Sequence, residues 1–147
     1  MLLIQKISED VKEAMKAHEA KKLDALRFIL AALQTRQKEI SGQGSDLLED
    51  AEAVKVLQKE AKKRKEAMSL YEAGNRADLS EKEKFELDII QAYLPKELNR
   101  EEIVALIDGC MKEGAKDFPV LMKAVMVRTG GQADGKTVAE LIKQKLQ

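Results

Sequence analysis

A chain of 147 residues with 44% hydrophobic content, no tryptophan, two prolines and 26 basic against 26 acidic side chains is rich in helix formers and balanced in charge. The balance holds along the chain, 17 basic against 18 acidic side chains through residue 95 and 9 against 8 beyond it, which excludes the strongly basic footprint of a general nucleic-acid binder and leaves only local, salt-sensitive RNA contacts. A single cysteine, an opening apolar run too short for a signal peptide and no stretch approaching a membrane span predict a soluble, all-α protein of the reducing cytoplasm, with no membrane and no DNA partner.

The apolar pattern predicts helices in succession. Over residues 2–20, Leu3, Ile7, Val11 and Ala14 fall on one side of a 3.6-residue turn. His18, the one histidine, continues that line as a packed or half-exposed core residue rather than a catalyst. Over residues 21–40, Leu23, Leu26, Leu30, Leu33, Gln37 and Ile40 form a second seam. Phe28 lies off it, so a second layer or a partner has to cover the ring. The glycines of Ser41-Gly42-Gln43-Gly44-Ser45 then predict a flexible loop.

From residue 46 to 95 the chain reads as a long helix, a tight turn at Ala73-Gly74-Asn75 and a return helix stopped by Pro95. Val54, Leu57, Ala61, Met68 and Tyr71 make the stripe on the first; Leu79, Leu87, Ile90, Tyr93 and Leu94 make the facing one. Arg64 falls inside the first stripe, and Glu83 and Glu86 inside the second. Antiparallel packing about residue 75 brings position 64 level with 86, so an ion pair from Arg64 to Glu86 or Glu83 is predicted. Lys55, Lys59, Lys62 and Lys63 share the opposite face. They make either a solvated surface relieved by Glu52, Glu60 and Glu66 or a phosphate-binding ridge.

Pro95 marks a boundary between domains 1–95 and 96–147. Beyond it Asn99 is placed to cap a helix, with Glu102 completing a capping box and Leu98 packing on Ile103. Ile103, Leu106, Ile107, Cys110 and Met111 form its buried face, which makes Cys110 a small core residue, and Gly114 ends it. A sixth helix begins near Asp117 with Pro119 in its first turn. Its apolar residues Phe118, Val120, Leu121, Met122, Val125, Met126 and Val127 point all round it. Part of that surface, Met122 and Met126 foremost, is expected to touch the long hairpin or another molecule. The last helix opens at Ala133-Asp134-Gly135-Lys136 and buries Val138, Leu141, Ile142 and Leu146.

Three stretches stand out by order and spacing: Leu57-Gln58-Lys59-Glu60-Ala61-Lys62-Lys63-Arg64-Lys65-Glu66, then Tyr71-Glu72-Ala73-Gly74-Asn75-Arg76-Ala77-Asp78-Leu79, then Glu81-Lys82-Glu83 through Tyr93-Leu94-Pro95. With Ala133-Asp134-Gly135-Lys136 they resemble the YqeY branch of the GatB/YqeY family nearly end to end. The resemblance implies a four-helix N-terminal domain and a three-helix C-terminal domain similar to the tail of the GatB subunit of glutamine-dependent tRNA amidotransferase. That tail contacts tRNA, while ammonia production and substrate activation lie in other domains.

The family name also carries an association with carbon–nitrogen ligation using glutamine as amide donor. This sequence has no Ser-rich amidase stretch, no Cys–His pair able to meet locally, no P-loop and no ligand-spaced metal cluster. No catalytic residue, metal or cofactor is therefore assigned.

The resemblance implies a monomer whose partner is tRNA or a tRNA-processing protein complex, met through Lys123, Arg128, Lys136 and Lys143 and helped by the Lys55–Lys63 ridge. Gly130, Gly131 and Gly135 would let a phosphate approach the amides opening the last helix. Alternatively Asp134 caps that helix and the glycines merely turn the chain. Where the family usually has a Gly and a Lys this chain has Pro119 and Val120, and an Arg is replaced by Gln132, so two cations are absent. The remaining readings are an accessory component of carbon–nitrogen ligation with glutamine as amide donor, and an adaptor that meets another protein through the sixth helix.

Overall fold

The computed structural model describes residues 1–42, 47–130 and 132–147. The predicted flexible loop falls largely on residues 43–46 and so lies outside the described residues. Those described form helices and turns only: α1 (Leu3–Lys16), α2 (Ala20–Ser41), α3 (Asp50–Ala73), α4 (Ala77–Gln91), α5 (Arg100–Lys112), α6 (Phe118–Thr129) and α7 (Gly135–Leu146). Contacts gather into two units, Met1–Leu94 and Pro95–Gln147. Each has its own apolar core.

In the first unit Ile4, Ile7, Val11 and Ala14 of α1 pack with Leu26, Ile29 and Leu33 of α2, Ala53, Leu57 and Ala61 of α3, and Leu87 and Ile90 of α4. The α2 seam is rotated from the expected one. Ile40 is exposed, while Ala25 and Ile29 are buried, because α2 meets α1 on one side and the α3–α4 hairpin on the other and so needs a wider apolar arc than a single heptad seam. Asp50 at the head of α3 accepts a hydrogen bond from the Leu3 amide at 2.8 Å. It supplies the starting turn of α1 with an acceptor from 47 residues away.

His18 is a correction. α1 ends at Lys16, and His18 sits exposed in the left-handed region with φ 57°. The Glu19 amide donates to Ala14 and the His18 amide to Met15, a Schellman closure that satisfies the last carbonyls of the helix. Asn75 (φ 58°) closes α3 in the same way, with Arg76 donating to Tyr71. An L-side chain in this region costs about 1 kcal/mol, and Asn tolerates it better than His. Replacing His18 by glycine is expected to raise stability by about 0.5–1 kcal/mol in urea unfolding; Asn75→Gly is expected to gain less.

At the far end of α4 the Tyr93 hydroxyl donates to Asp10 at 2.5 Å, tying the last turn before Pro95 back to α1. Burial first, and then the Asp10 carboxylate, raise the phenol above its ordinary value of 10.0. The folded chain therefore holds this proton after the unfolded chain has released it. The contribution is complete below about pH 10 and falls away as pH rises further. Alkaline unfolding curves of Tyr93→Phe are accordingly expected to flatten relative to the parent above pH 10, and to run parallel to it below.

The second unit packs Ile103, Ile107 and Cys110 of α5 against Leu121 and Val125 of α6 and Val138, Leu141 and Ile142 of α7. Asn99 caps α5, accepting from the Glu102 amide at 2.8 Å. Met122 and Met126, both half-buried, pack against this unit's own core. The apolar residues left open on α6 are Val120 and Val127, the latter 74% exposed.

Candidate nucleic-acid interface

The α3 face expected to be basic is open to solvent along Lys55, Lys59, Lys62 and Lys63. Two of the four are partly neutralised: Lys55 lies 3.8 Å from Glu52, and Lys63 lies 3.5 Å from Glu60. Lys59 and Lys62 make no ion pair with the described residues.

Arg64 turns the other way, into the hairpin, with its side chain only 12% exposed. Its Nε lies 2.9 Å from Glu86 Oε2 and 3.5 Å from Glu83, and its Nη1 lies 3.4 Å from Glu60. Its guanidinium carbon sits 4.7 Å from the centroid of the Phe28 ring. One planar cation therefore joins α2, α3 and α4, as the fork geometry of arginine permits and a lysine would not. Glu60 was missed as a partner although it stands one turn before Arg64, the spacing at which such pairs form. Phe28 is held from beneath by Arg64 yet remains 53% exposed.

In the second unit the candidate cations divide. Lys123 and Lys136 are exposed and have no carboxylate within 4.0 Å among the described residues. The Lys143 ammonium lies over Phe118, 5.9 Å from the ring centroid. α6 and α7 run against each other, with Met122 and Met126 reaching Gly135. Lys123 and Lys136 are thus chain neighbours of residues that touch, and Lys143 stands over the opposite end of the same seam.

Arg128 departs from expectation. Its Nη2 is hydrogen-bonded to Glu113, and that bond foremost raises its pKa above the ordinary arginine value. Glu113 therefore competes with a phosphate for one edge of the guanidinium.

The glycines also divide. Gly130 ends α6 with φ 53°, a conformation that favours glycine. Gly131 lies outside the described residues. Gly135 has no positive φ, and a Cβ there would meet the Met122 and Met126 methyls at 3.7 and 3.9 Å, ordinary contact. The methionine methyls therefore lie on the side of Gly135 where a side chain would project. Asp134 occupies the N-cap position of α7 without making a side-chain cap bond.

Gln132, which stands where the resemblance leads one to expect arginine, sews the unit together. Its carbonyl accepts from Leu98 N at 2.7 Å, and its side chain donates to the Lys96 carbonyl at 3.2 Å.

Cys110 is buried and free, and no group of three or more His, Cys, Asp or Glu among the described residues is placed to hold a metal ion. An open groove of about 540 Å³ lies between α1 and α2 over Ile4 and Leu30, lined by neutral amides and Glu9 and by none of the candidate cations.

A family model described as Yqey-like protein matches residues 4–146, nearly the whole chain. The chain belongs to this family. Among curated relatives, the YqeY-like chain is 28% identical over 134 residues to altered inheritance of mitochondria protein 41 of Saccharomyces cerevisiae (strain YJM789), covering 88% of this chain and 69% of that one. It is 30% identical over 120 residues to the protein of the same name from Lachancea thermotolerans, covering 80% and 63%. With the Candida glabrata protein it shares 32% identity over 96 residues, covering 65% and 51%. All three carry the word mitochondrial in their names. In the YqeY-like chain no helix among the described residues is long and apolar enough to cross a membrane.

Proposed function

We propose that this YqeY-like chain is a non-catalytic binding module that engages tRNA, or a tRNA-handling complex, through its C-terminal unit in the manner of the amidotransferase GatB tail. The observation that carries the reading is the set of open ammonium groups at Lys123 and Lys136 beside the α6–α7 seam, with Lys143 over its far end. Three local cations on a neutral chain suit a weak, salt-sensitive contact with phosphates rather than tight general binding. Arg128 leaves the proposed set because Glu113 holds it. The working compartment is a reducing one, the cytoplasm or, following the yeast relatives' name, the mitochondrion; the free buried thiol of Cys110 is compatible with either.

The test is fluorescence anisotropy with labelled tRNA at low salt. Lys123→Glu with Lys136→Glu is expected to weaken binding at least tenfold, Arg128→Gln to change it less than threefold, and Gly135→Ala to leave both fold and binding intact. A charge-reversed chain that binds as the parent does would refute the reading.

A second reading has one observation in its favour. Val120 and Val127, seven residues apart and so on one side of α6, are both open. A stoichiometric protein partner retained at 1 M salt and lost with Val127→Glu would favour that adaptor role over RNA.

A further inference from the structure

We infer that the groove between α1 and α2 is where two copies of this chain meet, packed face to face about a two-fold axis with their α1–α2 hairpins antiparallel. The inference stands apart from the RNA-binding reading, and it puts a weak, reversible dimer in place of the monomer that the resemblance implies.

The groove differs in chemistry from the chain around it. Among its nine described lining residues Glu9 alone is charged, in a chain whose residues are 35% charged. Ile4 and Leu30 lie in it, with Gln5, Gln34 and Gln37 along its length. Charge depleted around an apolar centre is what sets the core of a protein interface apart from ordinary surface. Leu47, also in the lining, supplies a projecting group. It is 51% exposed, while Leu48 beside it is buried and donates its amide to Gln37 Oε1 at 3.1 Å. The segment is thus anchored by one leucine and presents the other.

A second copy is the occupant that these features match. An isologous contact needs one surface to carry both a recess and the group that fills it, and this face has the groove with Leu47 at its side. Each glutamine amide both donates and accepts, so glutamines can bond to their own kind across a two-fold axis. The charges match in the same arrangement. α1 and α2 run antiparallel, joined only by residues 17–19. Gln5 and Gln34 are the middle of the lining on the two helices; Glu9 stands one turn from Gln5 toward that connection, and Lys38 one turn from Gln34 away from it. Antiparallel packing of two copies therefore brings each Glu9 toward the other copy's Lys38. Both side chains are exposed, whereas Asp10 and Glu39 beside them are already engaged by Lys6 and Arg36. A nucleic acid would find no cation in the lining, and a basic segment a single carboxylate.

So small a lining, against roughly 20–30 residues a side in a stable complex, sets the dissociation constant on the order of 10–100 µM. Sedimentation equilibrium of the full chain up to about 500 µM, well above that constant, tests it. A monomer–dimer equilibrium is expected. Leu47→Asp, Lys38→Glu and Glu9→Lys are each expected to weaken it about tenfold or more, because two-fold symmetry places every substitution twice. Glu9→Lys combined with Lys38→Glu is expected to return it to within about threefold of the parent, since the swap restores both pairs. All three positions are exposed, and thermal melts of the variants confirm that the fold is kept. A parent chain that stays monomeric throughout overturns the inference, whatever else the groove binds. A dimer that Leu47→Asp leaves intact overturns it as well, since association then lies on another face. So does a double swap that gains nothing over the single ones, because the antiparallel pairing of Glu9 with Lys38 is then absent.

Discussion

Replacing Arg64 by leucine is expected to lower the stability of the N-terminal unit by about 3 kcal/mol, because it strands three carboxylates that share one cation in a largely water-excluded place. For a unit of this size that corresponds to a fall of roughly 15 °C in melting temperature. Arg64→Lys should recover only part of the loss, since an ammonium cannot face Glu86, Glu60 and the Phe28 ring together. The decisive control removes the charges on both sides. Arg64→Met combined with Glu60→Gln and Glu86→Gln should regain most of the stability, because the cost lies in the uncompensated carboxylates rather than in the loss of attraction. Thermal melts of these variants separate the two explanations; a triple variant no better than Arg64→Met would assign the effect to packing instead.

Ile107→Ala is expected to unfold residues 95–147 while leaving α1–α4 folded. Ile107 is fully buried at the centre of the three-helix core, and truncating such a side chain costs about 2–5 kcal/mol. A single core of about fifty residues seldom supplies more than ~3–5 kcal/mol in total. The two cores share no residue, so the damage should stay on one side of Pro95. Amide hydrogen exchange read by residue provides the check. Protection should vanish from α5, α6 and α7 and persist in α2 and α3.

Much of this was legible in the amino-acid order, for identifiable reasons. Helical periodicity is local, so the run from Val54 to Tyr71 and its partner run in α4 declared both their existence and their register, and the position of Arg64 opposite Glu86 followed from the turn at residue 75. Asn99 named its own helix start. What remained hidden depended on other elements. The arc of α2 is set by cover from two sides, which buries Ile29 and leaves Ile40 open although a single apolar seam runs through Ile40 and past Ile29. His18 looked apolar by position, yet the chain had already turned away at Lys16, a choice made by Schellman hydrogen bonds that have no counterpart in an apolar pattern.

The candidate interface was less legible for the same reason. Side-chain identity marked Lys123, Lys136 and Lys143 as cations, but only the fold reveals that Glu113 claims Arg128, that two methionine methyls lie on Gly135 and that Gln132 is occupied by backbone groups. Phe28 was recognised as a residue in need of a cover. The cover proved to be a guanidinium that leaves half of the ring open.

The most direct measurement of the binding account is the dependence of tRNA affinity on salt for the parent chain and for Lys123→Glu with Lys136→Glu. A contact made by a few ammonium groups predicts a log–log slope of roughly −2 to −4 for the parent, reduced by about 2 in the variant. Affinity that does not change with salt, or a slope that the variant leaves untouched, would contradict it.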